Sequence, residues 1–248
     1  MDKMKTITIE KLNKSYGSKK VLTDLSLEVY QGELFGFIGR NGIGKSTTID
    51  CMIGMKKFDS GNIKIFDYDI LSDPIEIKKV IGYVSSEPIL YEEMTGMEYL
   101  KFISNIYKVD PLDFKEKYTA LCERLEFKFD DLAFEISGYS HGMKQKISLI
   151  SSLIHSPKIW ILDEPTVGLD FLAVEELKRM MVEYAALGNT VFLTSHNIDF
   201  VSDICNRVAI INKGNVKGLF DLDEDPSIKD KLKDIFIKIY DEDWKLYS

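Results

Sequence analysis

The sequence lacks an excess of positive charge and any long apolar run. Its 248 residues carry 32 Lys and Arg against 40 Asp and Glu, a formal net charge of −8 at pH 7. Nucleic-acid-binding proteins usually present a basic face, so this balance predicts no nucleic-acid partner. The longest stretch without a formal charge, residues 184–198, is rich in polar residues and shorter than the about 20 apolar residues that span a bilayer. We therefore expect any membrane role to depend on a partner chain.

Cysteine is scarce, and the three that occur are far apart. Cys51, Cys122 and Cys205 form no C-x-x-C pair, and each lies in a segment with apolar residues. This pattern predicts buried, reduced thiols rather than disulfides or metal ligands. The first ten residues contain no apolar segment of the kind found in signal peptides. Together these features predict a cytoplasmic protein.

Periodicity predicts an α/β fold that is interrupted by a helical region. Residues 4–38 are strand-like, and the apolar run LFGFI at their end suits a buried central strand. We expect a helix over residues 45–55, short strands over 61–70 and 79–86, and helices between 95 and 154. After Pro157 strands and helices alternate again, and the chain ends in an amphipathic helix from about residue 226.

A phosphate-binding loop is indicated by GRNGIGKS at residues 39–46. It fits G-x-x-x-x-G-K-S/T, follows a strand-like apolar run and precedes a helical stretch. Glycines allow the backbone N–H groups of such a loop to face phosphates. Lys45 can reach the β- and γ-phosphates, Ser46 can bind Mg²⁺, and Thr47 can add a contact.

A second element of the same chemistry is the segment IWILDEP. Its apolar residues predict a buried strand that ends in Asp163 and Glu164. Two adjacent acids there are costly unless they serve a cation or a proton transfer, although a pair of solvated acids at a strand end is the alternative. Asp163 suits a Mg²⁺ shell, and Glu164 can orient or deprotonate a water. The segment NKGN at residues 212–215 lacks the Asp of a guanine-reading N-K-x-D, which favours ATP.

Five segments, taken in order, resemble the nucleotide-binding subunit of an ABC transporter. They are SYG, GRNGIGKST, YSHGMKQK, ILDEPTVGLD and LTSHNID, and the resemblance extends from about residue 6 to residue 240. It implies an α/β P-loop NTPase with a mixed-sheet core, an N-terminal antiparallel β subdomain and a helical signature subdomain. Within a single domain over 1–248, it assigns 1–85 and 156–218 to the RecA-like core and β subdomain. It assigns 86–155 to the helical subdomain and 219–248 to a C-terminal helical tail.

The resemblance also implies a shared active site. Members of this family close as head-to-tail dimers that hold two ATP molecules between the subunits. The signature helix of one subunit faces the γ-phosphate held by the P-loop of the other, so YSHGMKQK would serve the partner's nucleotide. Loss of that phosphate on hydrolysis reopens the dimer, which makes the nucleotide a switch between two states.

Residue roles follow from the same resemblance. The implied catalytic residues are Glu164, His196 and Lys45, and the implied metal ligands are Ser46 and Asp163. The residues implied to bind ATP are Tyr16, Gly39, Asn41, Gly42, Gly44, Lys45, Ser46, Thr47, Ser140, Gly142 and Asp170. Tyr16 would stack on adenine and His196 would touch the γ-phosphate. The alternatives are a core or turn tyrosine and a structural histidine.

Two positions depart from the family's pattern. His141 stands where the signature usually has its first glycine, so its ring would lie near the partner's phosphates or point to solvent. Ser86 stands where a glutamine usually precedes Glu-Pro, and the shorter serine would reach a metal through a bridging water. The departure at Ser86 bears on coupling more than on hydrolysis, because Lys45, Asp163, Glu164 and His196 remain.

The sequence therefore predicts the ATPase motor of a transporter, working as a homodimer or heterodimer with ATP and Mg²⁺. A separate permease would hold it at the inner face of the cell membrane, with docking around residues 86–105. The short tail favours export, because import motors of the sugar type usually carry a further C-terminal domain. The alternatives are a soluble ABC ATPase and a nucleotide-gated regulatory module. A soluble ABC ATPase usually has long coiled coils, zinc-binding cysteines or a second cassette, none of which is seen here.

Overall fold

Residues 3–244 of the computed structural model, the part described here, form two β-sheets with helices packed around them. The smaller sheet is antiparallel and consists of β1 Lys5–Tyr16, β2 Lys19–Tyr30, β4 Ser60–Ile65 and β5 Tyr68–Asp69, in the order β2-β1-β4-β5. The larger sheet consists of β3 Leu34–Ile38, β6 Ile81–Val84, β7 Ile159–Asp163, β8 Thr190–Ser195, β9 Arg207–Asn212 and β10 Asn215–Asp221. Its order is β10-β9-β3-β8-β7-β6, and only β10 runs antiparallel to its neighbour, so the sheet is mixed as predicted.

The helices of the described residues connect these strands and cover the larger sheet. They are α1 Lys45–Met52, α2 Pro74–Val80, α3 Gly96–Ile106, α4 Pro111–Arg124, α5 His141–Leu153, α6 Phe171–Ala186, α7 Ile198–Ile204 and α8 Ser227–Trp244. Two short 3₁₀ turns, Phe129–Ala133 and Ile136–Gly138, lie between α4 and α5. Within residues 3–244 no helix combines the length and the apolar character needed to cross a membrane.

Two elements differ from the sequence prediction. The helix predicted over 45–55 ends at Met52, because the chain turns at Gly54, whose φ is 73°. Helix α2 lies where the sequence predicts strands joined by turns, because a helix of seven residues is too short to show a clear period. The predicted subdomain boundaries stay a prediction, and residues 1–2 and 245–248 of the predicted domain lie outside the described part.

The core explains how the larger sheet is held in place. Phe35 and Phe37 of β3 lie with Phe192 of β8 on the face toward the smaller sheet, each with ring centroids 5.7 Å from that of Phe192. Gly36 faces the other side, where an added Cβ would lie 2.6 Å from Val201 Cγ1 of α7. This close approach requires glycine and packs α7 directly on the central strand.

The cysteine prediction is confirmed, since all three thiols are free and buried. Burial raises the pKa of Cys51 and of Cys122 to about 11. These thiols therefore stay protonated and unreactive at neutral pH.

Helix α5 is fixed against the strand that carries the two acids. Trp160 of β7, which is fully buried, donates its indole N–H to Ser152 Oγ at 2.9 Å. At the other end of the helix the buried Gln145 donates from Nε2 to the carbonyl of Pro165 at 3.3 Å. The signature helix thus keeps one position relative to Asp163 and Glu164.

Candidate functional site

The candidate site lies where the parallel strands of the larger sheet end. The P-loop follows β3, Asp163 and Glu164 stand at the end of β7, and His196 follows β8. Because parallel strands bring their carboxyl ends to one edge, these segments meet there. They enclose a cleft of about 360 Å³. Its lining residues are Asn41, Gly42, Gly44, Lys45, Ser46, Thr47, Ser86, Glu164, Val167 and His196.

Glycines give the P-loop its shape. Gly42 and Gly44 have φ values of 75° and 117°, in the left-handed region that side chains disfavour. An added Cβ at Gly39 would lie 2.7 Å from Ile211 Cγ2 of β9, so this position also requires glycine. Gly44 caps the start of α1, and the N-terminus of that helix therefore lies at the cleft, where its dipole favours phosphate.

Lys45 is buried at the centre of the cleft, with 6% of its side chain exposed. Its Nζ donates to the carbonyl of Gly39 at 2.8 Å and lies 3.1 Å from Glu164 Oε1. The second contact is an ion pair without hydrogen-bond geometry, because Glu164 Oε1 is a buried oxygen with no hydrogen-bond partner. A buried cation and an unsatisfied carboxylate oxygen thus face each other where phosphates would bind.

Glu164 is held in an unusual backbone conformation. Its φ is 49°, and its N–H donates to the carbonyl and to the hydroxyl oxygen of Thr194 at 3.2 and 3.1 Å. Its Oε2 accepts the backbone N–H of His196 at 3.3 Å and lies 2.9 Å from Nδ1 of the same residue. A left-handed conformation in a residue other than glycine costs on the order of 1–3 kcal/mol, and the hydrogen bonds to Thr194 offset this cost. Together with the contacts to His196, they hold the carboxylate in one position.

Thr194 organises both acids, and sequence reasoning did not find it. Its hydroxyl donates to Oδ1 of Asp163, which is only 2% exposed. The register of the sheet pairs Asp163 directly with Thr194. The signal was available, because the predicted strand TVFLTS ends at the same edge as the predicted strand IWILD.

The donor set suits Mg²⁺. Ser46 lines the cleft with a hydroxyl and Asp163 offers a carboxylate, and both are hard oxygen ligands. Magnesium is commonly bound by one or two such protein groups together with phosphate oxygens and water. The residues present therefore fit the metal that the sequence predicted.

The signature residues lie at the start of α5. Ser140 is exposed and caps the helix, with its Oγ accepting the N–H of Met143 at 3.2 Å. The His141 ring packs on the loop after β7: a Cβ added at Gly168 would lie 2.0 Å from His141 Cδ2. Gly142 is close to the same loop, because its added Cβ would lie 2.8 Å from the Gly168 carbonyl oxygen.

Asp170 caps α6 at the end of that loop. Its Oδ1 accepts the N–H of Ala173 at 2.9 Å, and its Oδ2 lies 3.8 Å from Lys146 Nζ. The hydrogen bond from Ala173, and to a smaller extent the charge of Lys146, lower the pKa of Asp170. Taken over residues 3–244, the lining of the Lys45 cleft includes none of Ser140, Gly142 and Asp170.

Tyr16 stands at the exposed end of β1. Its side chain is 44% exposed, and Lys14 Nζ lies 4.8 Å from the ring centroid. The ring does not line the cleft, although the following strand reaches the P-loop: a Cβ at Gly44 would lie 2.8 Å from Leu22 Cδ2. Adenine stacking on Tyr16 stays a prediction.

Comparison with known proteins identifies the family. A family model described as ABC transporter matches residues 22–167, more than half of the chain. The linearmycin resistance ATP-binding protein LnrL of Bacillus subtilis is 35% identical over 213 residues, which cover 84% of this chain and 66% of LnrL. The bacitracin transport ATP-binding protein BcrA of Bacillus licheniformis is 35% identical over 210 residues, covering 83% of this chain and 66% of BcrA. The match thus spans about two thirds of the length of these two relatives.

A solved structure of an ATP binding subunit of an ABC transporter is also similar. It superposes with a TM-score of 0.84 at 30% sequence identity and covers 88% of this chain and 91% of that one. On its sequence, fold and cleft, the chain belongs to the ABC transporter family, as an ATP-binding subunit with the ABC-type ATPase fold.

Proposed function

We propose that this chain is the ATP-hydrolysing motor of an export-type ABC transporter and works through a separate membrane permease. One observation carries the proposal: Lys45, Glu164 and His196 come from three different elements and meet in one P-loop cleft. A buried lysine paired with a carboxylate that has an unsatisfied oxygen is costly unless a ligand completes it. The phosphates of ATP supply the missing anion for Lys45.

The geometry supports a different chemical role for each of these residues. When phosphates bind, Lys45 exchanges its contact with Glu164 for the β- and γ-phosphate oxygens. Glu164 then accepts a proton from the attacking water through Oε1, while Oε2 stays bonded to His196, which keeps the carboxylate aimed. Ser46 and Asp163 would hold Mg²⁺, which when bound supplies a Lewis acid that neutralises phosphate charge.

We further propose that the active form is a dimer with ATP in its interface. Ser140, Gly142 and Asp170 lie outside the cleft of their own chain, and Ser140 is exposed at the start of a helix of 13 residues. The N–H groups and dipole of that helix end favour an anion. A second ATP-binding subunit, identical or different, would present its P-loop to this helix end.

The direction and the cargo class are supported by the relatives. LnrL is named for linearmycin resistance and BcrA for bacitracin transport, and both names connect an ATP-binding protein of this type with an antibiotic. We infer that this chain powers the removal of a compound of that kind from the cell. The permease would dock at the inner face of the membrane around residues 86–105, where Ile89 and Tyr91 are exposed.

A second candidate function is a nucleotide-gated regulatory module that binds ATP and scarcely hydrolyses it. It is favoured by Ser86, which lines the cleft where the family resemblance leads one to expect a longer glutamine. A missing metal contact there would slow turnover without removing binding. The two functions therefore differ in the rate of ATP hydrolysis and not in the affinity for ATP.

Phosphate release by the purified chain with Mg·ATP separates the two candidates. The motor predicts steady turnover that Lys45→Ala abolishes and that Lys79→Ala leaves unchanged, because Lys79 forms only an exposed pair with Glu76. ATP binding without turnover would favour the regulatory module. For the transport function, the chain is co-expressed with a membrane protein encoded by a neighbouring gene, tested as the candidate permease. Cells should then gain resistance to an exported compound, and the Lys45→Ala variant should not confer it.

A further inference from the structure

The C-terminal helix reaches the P-loop through one side chain. Tyr240 of α8 is 8% exposed, and its hydroxyl oxygen accepts the backbone N–H of Arg40 at 3.0 Å. The same hydroxyl donates to the carbonyl of Ile211 at the end of β9, at 2.7 Å. Arg40 is the second residue of the P-loop, so the hydroxyl links this loop to the neighbouring strand and to a helix 200 residues away in sequence.

Packing fixes the position of that hydroxyl. Leu232 of α8 is fully buried, and Asn212 of β9 donates from Nδ2 to the carbonyl of Ile239 at 3.3 Å. The Tyr240 ring contacts Phe236, at a centroid distance of 4.7 Å, and the guanidinium of Arg40, which lies 5.0 Å from its centroid. A buried tyrosine ring with these two contacts has little freedom, so its hydroxyl keeps one position next to the loop.

The hydrogen bonds of the Tyr240 hydroxyl lie beside Gly39, where the P-loop has no room for a side chain. An added Cβ at Gly39 would lie 2.9 Å from the carbonyl oxygen of Ile211, the same oxygen that accepts from Tyr240. The carbonyl of Gly39 in turn accepts from Lys45 Nζ. The first turn of the loop is therefore held on its outer side by Tyr240 and on its inner side by Lys45. With the Arg40 N–H bonded outward, the N–H groups further along the loop are left for phosphates.

We propose that Tyr240 is a positioning residue for nucleotide binding: through its hydroxyl, α8 holds the P-loop in the conformation that binds the nucleotide. This inference rests on the proposed function, because it takes the P-loop to be an ATP site. Tyr240 is not among the residues that line the cleft, so its hydroxyl acts through the Arg40 backbone. The sequence predicts an amphipathic helix here, and its short length favours export, but neither feature indicates this contact.

The test compares two Tyr→Phe substitutions in the full chain. Tyr240→Phe keeps the ring and its contacts with Phe236 and the Arg40 guanidinium, but it removes the hydroxyl's hydrogen bonds to the Arg40 N–H and the Ile211 carbonyl. Tyr184→Phe is the matched control, because Tyr184 also donates its hydroxyl to a backbone carbonyl, that of Pro157. Pro157 lies just before β7, at the end of that strand opposite to Asp163. Both variants are measured for thermal midpoint, hydrogen exchange of the Arg40 amide, KM for ATP and kcat.

We expect similar shifts of the thermal midpoint in the two variants, while Tyr240→Phe alone accelerates Arg40 exchange at least about tenfold. A lost hydrogen bond of ordinary strength predicts that Tyr240→Phe raises KM by about 2- to 10-fold and changes kcat by less than about 2-fold. The inference is overturned if exchange and KM in Tyr240→Phe match those of Tyr184→Phe, or if exchange accelerates without a change in KM. Wild-type protein that neither binds nor hydrolyses ATP would instead refute the proposed function, and the inference with it.

Discussion

Replacing Glu164 with glutamine removes one charge from the centre of the cleft and little else. The side chain keeps its length, and the amide oxygen can still accept from His196. What is lost is the proton acceptor and the ion pair with Lys45, whose Nζ lies 3.1 Å from Glu164 Oε1. The substitution should therefore separate nucleotide binding from nucleotide hydrolysis.

The two effects can be estimated from the geometry. At 3.1 Å and an effective dielectric constant of about 20, the attraction between Lys45 and Glu164 is about 5 kcal/mol before desolvation. Most of it is offset by the cost of burying both charges, so we expect a net gain for phosphate binding of about 1 kcal/mol, or about 5-fold in Kd. Loss of a general base should lower kcat by about 10²–10⁴-fold, equivalent to about 3–5 kcal/mol in the barrier.

The assay is steady-state phosphate release together with equilibrium binding of a non-hydrolysable ATP analogue. Glu176→Gln is the matched control, because Glu176 is similarly buried, with 19% of its side chain exposed, and pairs with Arg124 outside the site. The control should hydrolyse ATP at the wild-type rate. A Glu164→Gln variant that keeps kcat within about tenfold of wild type would refute Glu164 as the base, since the general-base contribution starts near 10²-fold.

Three further predictions concern stability and the signature region. Burial lowers the pKa of His155 to about 4, whereas the side chain titrates near 6.5 in the unfolded chain. The free energy of unfolding should therefore fall by up to about 3 kcal/mol as the pH drops from about 6.5 to 4. Urea unfolding should show this loss in wild type but not in His155→Gln. Gly168→Ala should lower the ATPase rate at least about tenfold, since φ is 80° there and the new Cβ meets the His141 ring; His141→Gly should restore part of it in the double variant. Glu33→Ala should lower the unfolding free energy by about 3–5 kcal/mol in urea titrations, because it leaves the mostly buried Arg207 without the carboxylate it binds at 2.8 and 2.9 Å.

Each of these has an outcome that contradicts it. If the free energy of unfolding changes with pH in the same way in wild type and His155→Gln, the His155 imidazole is not held neutral by burial. An ATPase rate in the double variant no higher than in Gly168→Ala would remove the steric role of the His141 ring. Unchanged unfolding of Glu33→Ala would show that the Arg207 pair adds nothing to stability.

The central strands and the phosphate loop were predictable because local pattern and burial agree there. The run LFGFI became β3 with every residue buried, and IWILD became β7 with Asp163 at its end. In such segments apolar composition and strand length leave few alternatives. The fold class and the meeting of P-loop and acids follow from the order of these strands.

What escaped prediction depends on contacts between distant segments or on local backbone strain. The positive φ of Glu164 follows from its bonds to Thr194, 30 residues later, and no local pattern encodes it. The link from Tyr240 to Arg40 joins segments 200 residues apart, and its tyrosine is one of several aromatic residues on an amphipathic helix. Residue periodicity shows that a helix has a buried face but not which loop that face will touch.

In the proposed mechanism, each ATP is held by two subunits. Light scattering of Glu164→Gln, with and without saturating Mg·ATP, tests that claim directly when Glu164→Gln/Ser140→Arg is measured beside it. We predict that Glu164→Gln doubles its mass with ATP, and that the double variant binds ATP with similar affinity yet stays monomeric, because Ser140 lies outside its own chain's cleft. A double variant that dimerises with ATP as fully as Glu164→Gln would contradict the claim, and a Glu164→Gln variant that stays monomeric at saturating ATP would contradict it for a homodimer.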